Sequence, residues 1–510
     1  MEERPTAQQD MKTRVAAGFF WKLLENGGDQ LITFTISIVL ARLLGPEKYG
    51  TMALMLIFVA IANVIIQTGF QTALIQKRRV DDVDYSSVFW LGLLLAALLY
   101  AAIFFAAPSC ASFFGDAEIA PMLRVLSLIL FFGAVISVEI SYISRNMDFK
   151  KQCAATVGAD ILSGAAGIFA AFSGAGTWAL VIQQVLKNLF LMSILLLLVK
   201  WRPHLLFSLR RLSILFGYGW KVLASGLLDT VYNNLYTPVI SKLYNPVFTG
   251  YYSRGNQFPQ VIANAVAQTM QAVMLPAFSK TQDERERLRS MLRRTVKMSC
   301  FLMFPMMFGL AAVAEHLVLA LLGSAWSGAV PYLMLCAAGY SVWTMHIANL
   351  QAINAQGRSD IYLKLEIVKK ILGVAVLILS VRFGIFVMIL LKSLMDFVCT
   401  FINAFPNKKL LGYGPCSQWR DVLPEFLAAL FMGCIVYLIP EALGVLNRCL
   451  PDAAAVSVQA AVSMLPETVL SFGILLLQIA AGIGVYGGLA VLFRLESFRY
   501  LLEMLRKKKG

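Results

Sequence analysis

The chain has 510 residues, 59% of them hydrophobic and 14% charged, with a formal net charge of +15 and a mean hydropathy of +0.71. A soluble globular chain is nearer about 45–50% apolar and about 25% charged. The composition therefore excludes a soluble enzyme, a nucleic-acid-binding module and a disordered scaffold, and the apolar runs of about 20 residues that recur along the whole length identify a polytopic membrane protein.

Taken in chain order, the pattern predicts an all-α membrane protein of about fourteen transmembrane helices. The spans are 16–43, 51–75, 86–108, 119–143, 153–173, 177–199, 213–240, 247–277, 295–314, 329–353, 360–381, 383–405, 421–440 and 468–493. Ahead of the first, MEERPTAQQDMKTRVAAG carries acidic residues and no A-x-A site after a short apolar stretch, which does not match a cleavable signal peptide. The connections GPEKYG, SGAGTW, YNPVFTG and VRFG are short, so consecutive helices are expected to be antiparallel neighbours. The eight cysteines are scattered without a C-x-x-C pair, most of them inside apolar runs where they act as small core hydrophobes.

The basic residues sort by side. Thirty-one of the 44 lie in the N-terminus, the tail ending LRKKKG and the alternate loops containing QKRRVDD, SRNMDFKK, KWRPHLLFSLRR, SKTQDERERLRSMLRRTVK, NAQGRSDIYLK and NKKLLGYG. The opposite loops hold six (Arg42, Lys48, Arg124, Lys242, Arg382 and Arg448), and seven lie inside spans. Membrane proteins keep Lys and Arg in their cytoplasmic loops, so both termini are expected in the cytoplasm and the net charge needs no nucleic acid to explain it. The longest outward segment, 441–467, is under thirty residues, leaving no external domain of the kind a polymerase would carry.

An internal repeat runs through the chain. Gly18-Phe-Phe-Trp-Lys-Leu-Leu24 reads against Gly217-Tyr-Gly-Trp-Lys-Val-Leu223 at an offset of 199. Pro46 and Gly50 match Pro246 and Gly250 at 200, and Asn63 and Gln67 match Asn264 and Gln268 at 201. Six helices separate the copies, so both enter the membrane in the same direction. The expected organisation is an N-terminal lobe over 1–212, a C-terminal lobe over 213–410, and two further helices with a basic tail over 411–510. Parallel repeats of this kind suit alternating access with substrate held between the lobes.

Polar groups inside spans are costly, so those present usually line a cavity or pair with one another. In span 1, Lys22, Glu25 and Asp29 share one narrow face, and span 7 repeats the device with Lys221, Ser225 and Asp229. In span 8, Gln257, Gln260, Asn264, Gln268 and Gln271 are spaced 3, 4, 4 and 3 and project from one face, with Arg254 near its outer end; span 2 has the shorter set Asn63, Gln67 and Gln71. Amides both donate and accept, as hydroxyl-rich substrates require, although interhelical clamps would give the same stripe. Gln183, Gln184 and Lys187 in span 6, and Lys392 with Asp396 in span 12, either join the cavity or pair locally. Asp160 stands alone in span 5. The run Gly482-Ile-Gly-Val-Tyr-Gly487 lies inside an apolar helix and reads as a packing surface, the chain has no G-x-x-x-x-G-K-[ST], and the three histidines are too dispersed for a zinc site.

Several of these segments resemble the signatures of Wzx-type polysaccharide flippases in the MOP exporter superfamily. They are Ala41-Arg-Leu-Leu-Gly-Pro-Glu-Lys-Tyr-Gly50, Gly69-Phe-Gln-Thr-Ala-Leu-Ile-Gln76, Ser87-Val-Phe-Trp90, and Ser144-Arg-Asn-Met-Asp-Phe149 through Gly174-Ala-Gly-Thr-Trp-Ala-Leu180, with Gly250-Tyr-Tyr-Ser-Arg254 and Leu322-Gly-Ser-Ala-Trp326 as second-lobe equivalents. The similarity runs over most of 14–405, is greatest to the branch holding colanic acid and teichuronic acid exporters, and fades after about 410. It implies movement of undecaprenyl-pyrophosphate-linked oligosaccharide repeat units across the bacterial cytoplasmic membrane through a cationic cavity, without a cofactor. Lys22, Lys221, Arg254 and Lys187 would then hold the pyrophosphate, with the span 8 amides facing sugars. A polysaccharide polymerase and a chain-length regulator are the partners such a role implies. Coupling to protons or sodium, through Asp29 or Asp229, is left open beside the membrane potential. A cation-coupled drug or toxin exporter and a lipid II flippase share the superfamily architecture and are the competing readings.

Overall fold

The computed structural model describes residues 7–77, 80–279, 281, 284–449 and 467–507. The outward segment beyond 449, positions 78–79, 280 and 282–283 of two basic loops, and the tail from 508 lie outside the described residues. Each predicted span is helical apart from short turns, and no strand occurs among the described residues. Among the described residues, nine helices are long and apolar enough to cross a membrane by length and composition.

The chain divides into two compact units, Met1–Gly250 and Tyr251–Gly510. The first holds α1 (Ala7–Gln76), α2 (Asp82–Phe114), α3 (Ile119–Leu126), α4 (Ile129–Asn146), α5 (Phe149–Phe172), α6 (Thr177–Leu198), α7 (Leu209–Asn234) and α8 (Tyr236–Leu243). The repeat suggests a boundary at 212; here α7 lies with the first unit because it packs along α1. The residues expected as a separate C-terminal segment, 411–510, lie within the second unit.

The signature segments occupy corners that need their residue types. α1 is two helices joined at Gly45, whose φ of 73° is in the left-handed region, open to glycine at no steric cost. Pro46 follows, with its φ already set for a first helical turn, and Tyr49 ties back across the bend by donating its hydroxyl to the Ser37 carbonyl at 3.0 Å. The repeat copy solves the same corner with Asn245, whose Oδ1 accepts from the Phe248 N–H at 3.0 Å just as α9 (Pro246–Ser279) begins. Gly50 and Gly250 face each other's corners in the first unit: a Cβ at Gly50 would lie 1.7 Å from the Pro246 carbonyl oxygen, and one at Gly250 would lie 2.0 Å from that of Pro46.

At the opposite end, Arg145 donates to the carbonyls of Leu74, Ile75 and Lys77 and so satisfies the last turn of α1. Trp90 donates its indole N–H to the His204 carbonyl at 2.9 Å. The Ser86 and Ser87 hydroxyls accept from the N–H groups of His204 and Ser208, pinning the 200–208 connection to α2. Apolar side chains on α1, α2, α4 and α6, among them Met55, Ala96, Leu130 and Val181, close one core.

The second unit holds the rest of α9 and then α10 (Arg285–Ala312), α11 (Ala314–Leu321), a 3-10 turn over Ser324–Ala329, α12 (Val330–Tyr340), α13 (Trp343–Ala355), α14 (Ser359–Ser380), α15 (Ile385–Leu411), α16 (Pro415–Cys449), α17 (Glu467–Leu492) and α18 (Glu496–Lys507). Leu292, Val296, Phe304, Met345, Val422, Met432 and Leu475 lie in its core. Three buried amides stitch α13, α15 and α16: Asn349 and Gln418 exchange bonds at 2.8 and 2.7 Å, and Asn407 donates to Asn349 at 2.8 Å. His346 is paired with Asn403 at 2.9 Å, which accounts for one of the three histidines as a structural residue. The corner motif of this unit is built from Gly323 at φ 90° and the buried Trp326. Tyr251 lies edge-on to Trp326, with ring centroids 6.4 Å apart, and donates its hydroxyl to the Ala325 carbonyl.

Candidate functional site

In the first unit the polar residues converge on Lys187. This α6 ammonium lies 2.6 Å from Asp160 Oδ1 on α5 and 3.1 Å from Asp29 Oδ1 on α1, and it donates to Thr33 Oγ1 at 3.3 Å. Asp160 is only 1% exposed. The expectation that Asp160 stands alone is therefore corrected: the α5–α6 hairpin folds it directly onto Lys187. A carboxylate buried in a bundle is tolerable only with a partner, and one cation here serves two.

Two turns before Asp29, Lys22 is paired with Glu25 at 2.8 Å. Glu25 is buried and accepts from Gln152 on α5 at 2.9 Å. The acidic members of the α1 stripe thus bond inward to α5 and α6, and both basic residues beside them are locally balanced. The matching stripe on α7 is different. Lys221 and Asp229 are exposed, and Lys221 makes no ion pair among the described residues. On the second half of α1, Gln67 donates to Asn63 at 3.2 Å. Both amides lie over Gly133 of α4, where a Cβ would come within 2.5 Å of Gln67 Nε2, so this pair is seated by a glycine on the neighbouring helix.

In the second unit Arg254 is buried and donates to Gln257 Oε1. Beyond it Gln260, Asn264, Gln268 and Gln271 are all exposed along α9, an amide row left uncovered by its own unit. On α15, Lys392 lies 5.8 Å from the centre of the Tyr340 ring. Asp396 sits against Gly339, where a Cβ would meet its Oδ2 at 2.8 Å. The first unit thus brings together Asp29 and Lys187, joined by Asp160 and Thr33, which the sequence pattern does not group with them, while Gln152 bonds Glu25 instead. The charge of Asp160 inside an apolar span announces a partner but not which one; only the packing of α5 on α6 supplies it.

The arrangement offers each unit a charged or amide face, and no group of metal-ligating side chains occurs among the described residues. Residues 39–331 match the model of a family described as "Polysaccharide biosynthesis protein". The chain belongs to this family. Among its relatives, the "Succinoglycan biosynthesis transport protein ExoT" of Rhizobium meliloti (strain 1021) is 26% identical over 489 residues, covering 96% of this chain and 95% of the relative. The "Teichuronic acid biosynthesis protein TuaB" of Bacillus subtilis (strain 168) is 24% identical, covering 74% and 78%. The "Lipopolysaccharide biosynthesis protein WzxC" of Escherichia coli (strain K12) is 22% identical, covering 80% and 83%. Among solved structures, the lipid II flippase MurJ in an inward closed conformation superposes with a TM-score of 0.72 at 16% identity, covering 95% of this chain and 100% of that one. An inward-facing multidrug resistance MATE transporter of the MOP superfamily superposes with a TM-score of 0.60 at 14% identity, covering 76% and 98%. These two likenesses show the fold alone: an all-α helical bundle.

Proposed function

We propose that this chain is a flippase that moves undecaprenyl-pyrophosphate-linked oligosaccharide repeat units from the inner to the outer leaflet of the bacterial cytoplasmic membrane, for assembly of a cell-surface polysaccharide. The observation that carries the proposal is the nearly end-to-end match, 96% of one chain on 95% of the other, with a transport protein of succinoglycan biosynthesis. The likeness to a drug transporter rests on fold alone, at 14% identity, so the substrate class follows the polysaccharide relatives.

The chemistry supports the same class. The exposed α9 amides supply paired donors and acceptors for sugar hydroxyls, and Lys221 supplies an unspent cation for the pyrophosphate, with Lys22, Lys187 and Arg254 as cations already bonded to neighbours. The transport cycle is alternating access. The basic loops support cytoplasmic termini, and an inside-negative potential favours outward movement of an anion by about 2.3 kcal/mol per charge per 100 mV. Asp29, in the Lys187 cluster, and the exposed Asp229 on α7 are the carboxylates available for coupling to H+ or Na+, and a polymerase with its chain-length regulator would receive the product.

Deleting the chain from its host tests this reading. The expected result is loss of surface polymer with accumulation of lipid-linked repeat units on the cytoplasmic side. Restoring wild-type protein should reverse both, while Lys221→Ala at equal expression should lower polymer by roughly tenfold, the cost of one charged hydrogen bond. Unchanged polymer on deletion would contradict the proposal.

A further inference from the structure

At the end of the second unit, α18 packs back on α10 and frames an open pocket of about 390 Å³ that the transport reading does not use. Four cations line it, Arg293, Arg294, Lys297 and Arg499, against two carboxylates, Glu496 and Glu503. Two of the cations are spent. Arg293 makes a two-pronged bond to Asp421 on α16 at 2.7 and 3.0 Å, and Lys297 pairs with Glu496 at 2.6 Å, holding the Glu496 carboxyl below its ordinary range.

The other two are not. Arg294 lays its guanidinium 3.3 Å over the Tyr500 ring, which occupies its face and leaves its N–H edge unbonded among the described residues. Arg499 is exposed and has no ion-pair partner among them. A fork of N–H donors with no carboxylate to meet it is the arrangement that recognises phosphate.

The helix carrying Arg499 belongs at a membrane surface. Phe498, Leu501, Leu502 and Leu505 fall on one face at helical spacing with Met504 at its edge, the charged residues fall at 496, 499, 503, 506 and 507, and the sequence continues as Lys508-Lys509. That is the pattern of an amphipathic helix lying in the headgroup layer. Phe498 anchors it, with its ring 6.3 Å from that of Phe301, and the Ser497 hydroxyl donates to the buried Glu425 at 3.0 Å.

We propose that the α10–α18 pocket binds the phosphate of an anionic lipid headgroup, with Arg294 and Arg499 as its ligands. Glu503 opposes that anion and sets its affinity below the maximum. The same phosphate chemistry is available from free inorganic phosphate, and the test separates the two sources. Full-length protein is placed in nanodiscs of phosphatidylcholine alone or with phosphatidylglycerol, and lipid adducts are counted by native mass spectrometry alongside the melting temperature.

Phosphatidylglycerol is expected to remain bound and raise the melting temperature, and the Arg294→Ala/Arg499→Ala double variant is expected to bind it at least roughly tenfold more weakly. Glu503→Gln is expected to bind it more tightly, a gain that misfolding cannot produce. Equal binding by wild type and the double variant overturns the proposal, as does a Glu503→Gln affinity unchanged from wild type. Protection by inorganic phosphate in phosphatidylcholine discs equal to that by phosphatidylglycerol overturns the lipid source. Binding is read without transport, so its failure is distinct from failure of the flippase reading.

Discussion

Gly50→Val is expected to abolish folded protein in the membrane. A Cβ at this position would lie 1.7 Å from the carbonyl oxygen of Pro246 and 2.7 Å from its carbon. Both are backbone atoms at the start of α9, so no rotamer change relieves the clash. Either the α1 corner or the α9 corner must move, and a cost of about 4 kcal/mol or more places the change among the rare severe substitutions. Gly250→Val should fail equally, since its Cβ would meet Pro46 at 2.0 Å. The control is Gly27→Ala in the first half of α1, where nothing lies within 4 Å. There the added methyl should be neutral or stabilise by about 0.5–1 kcal/mol. Size-exclusion profiles of the solubilised variants read all three, and normal profiles for both valine variants would contradict the corner geometry.

The second large effect concerns Lys187. Lys187→Met removes the ammonium that lies 2.6 Å from Asp160 and 3.1 Å from Asp29, leaving one carboxylate buried and a second beside it. Breaking one side of a buried pair typically costs about 3–5 kcal/mol, whereas removing both members is far milder. The melting temperature of Lys187→Met should therefore fall steeply, and Asp160→Asn in the same background should recover most of the loss. The cycle distinguishes a charge cluster from simple packing, because a packing role predicts that the two losses add. A Lys187→Met variant as stable as wild type would show that Asp160 needs no partner.

Much of the fold was legible because membrane physics writes it in long apolar runs, and each predicted span is helical apart from short turns. The corners were legible as motifs for reasons now visible. Gly45-Pro46 is a left-handed residue followed by a helix start, Arg145 closes the end of α1, and Trp90 fastens the 200–208 connection. Each needs one residue type, so each leaves a fixed word in the sequence. The Gly50–Pro246 approach appeared only as a repeat match, since no pattern reveals that the two copies touch.

The polar cluster was half legible. Periodicity found Asp29 on one helix and Lys187 on another, but Asp160 has no neighbour at helical spacing, and its place beside Lys187 exists only once α5 lies on α6. Periodicity also put Lys22, Glu25 and Asp29 on one face without saying that two of them turn inward. The repeat marks where a copy begins and not which helices pack together. α7 begins the second copy yet packs on α1.

Reconstitution reads movement of a lipid-linked glycan without any other component of polymer assembly. Purified protein is placed in liposomes loaded on one leaflet with a fluorescent undecaprenyl-pyrophosphate oligosaccharide, and the fraction reached by an impermeant quencher on the other side is followed over time. Protein-dependent appearance of the glycan on the far side is predicted, accelerated by a potential that is negative on the loading side and slowed by Lys221→Ala. Fluorescence that stays as protected as in protein-free liposomes, with folded protein present, would contradict the account.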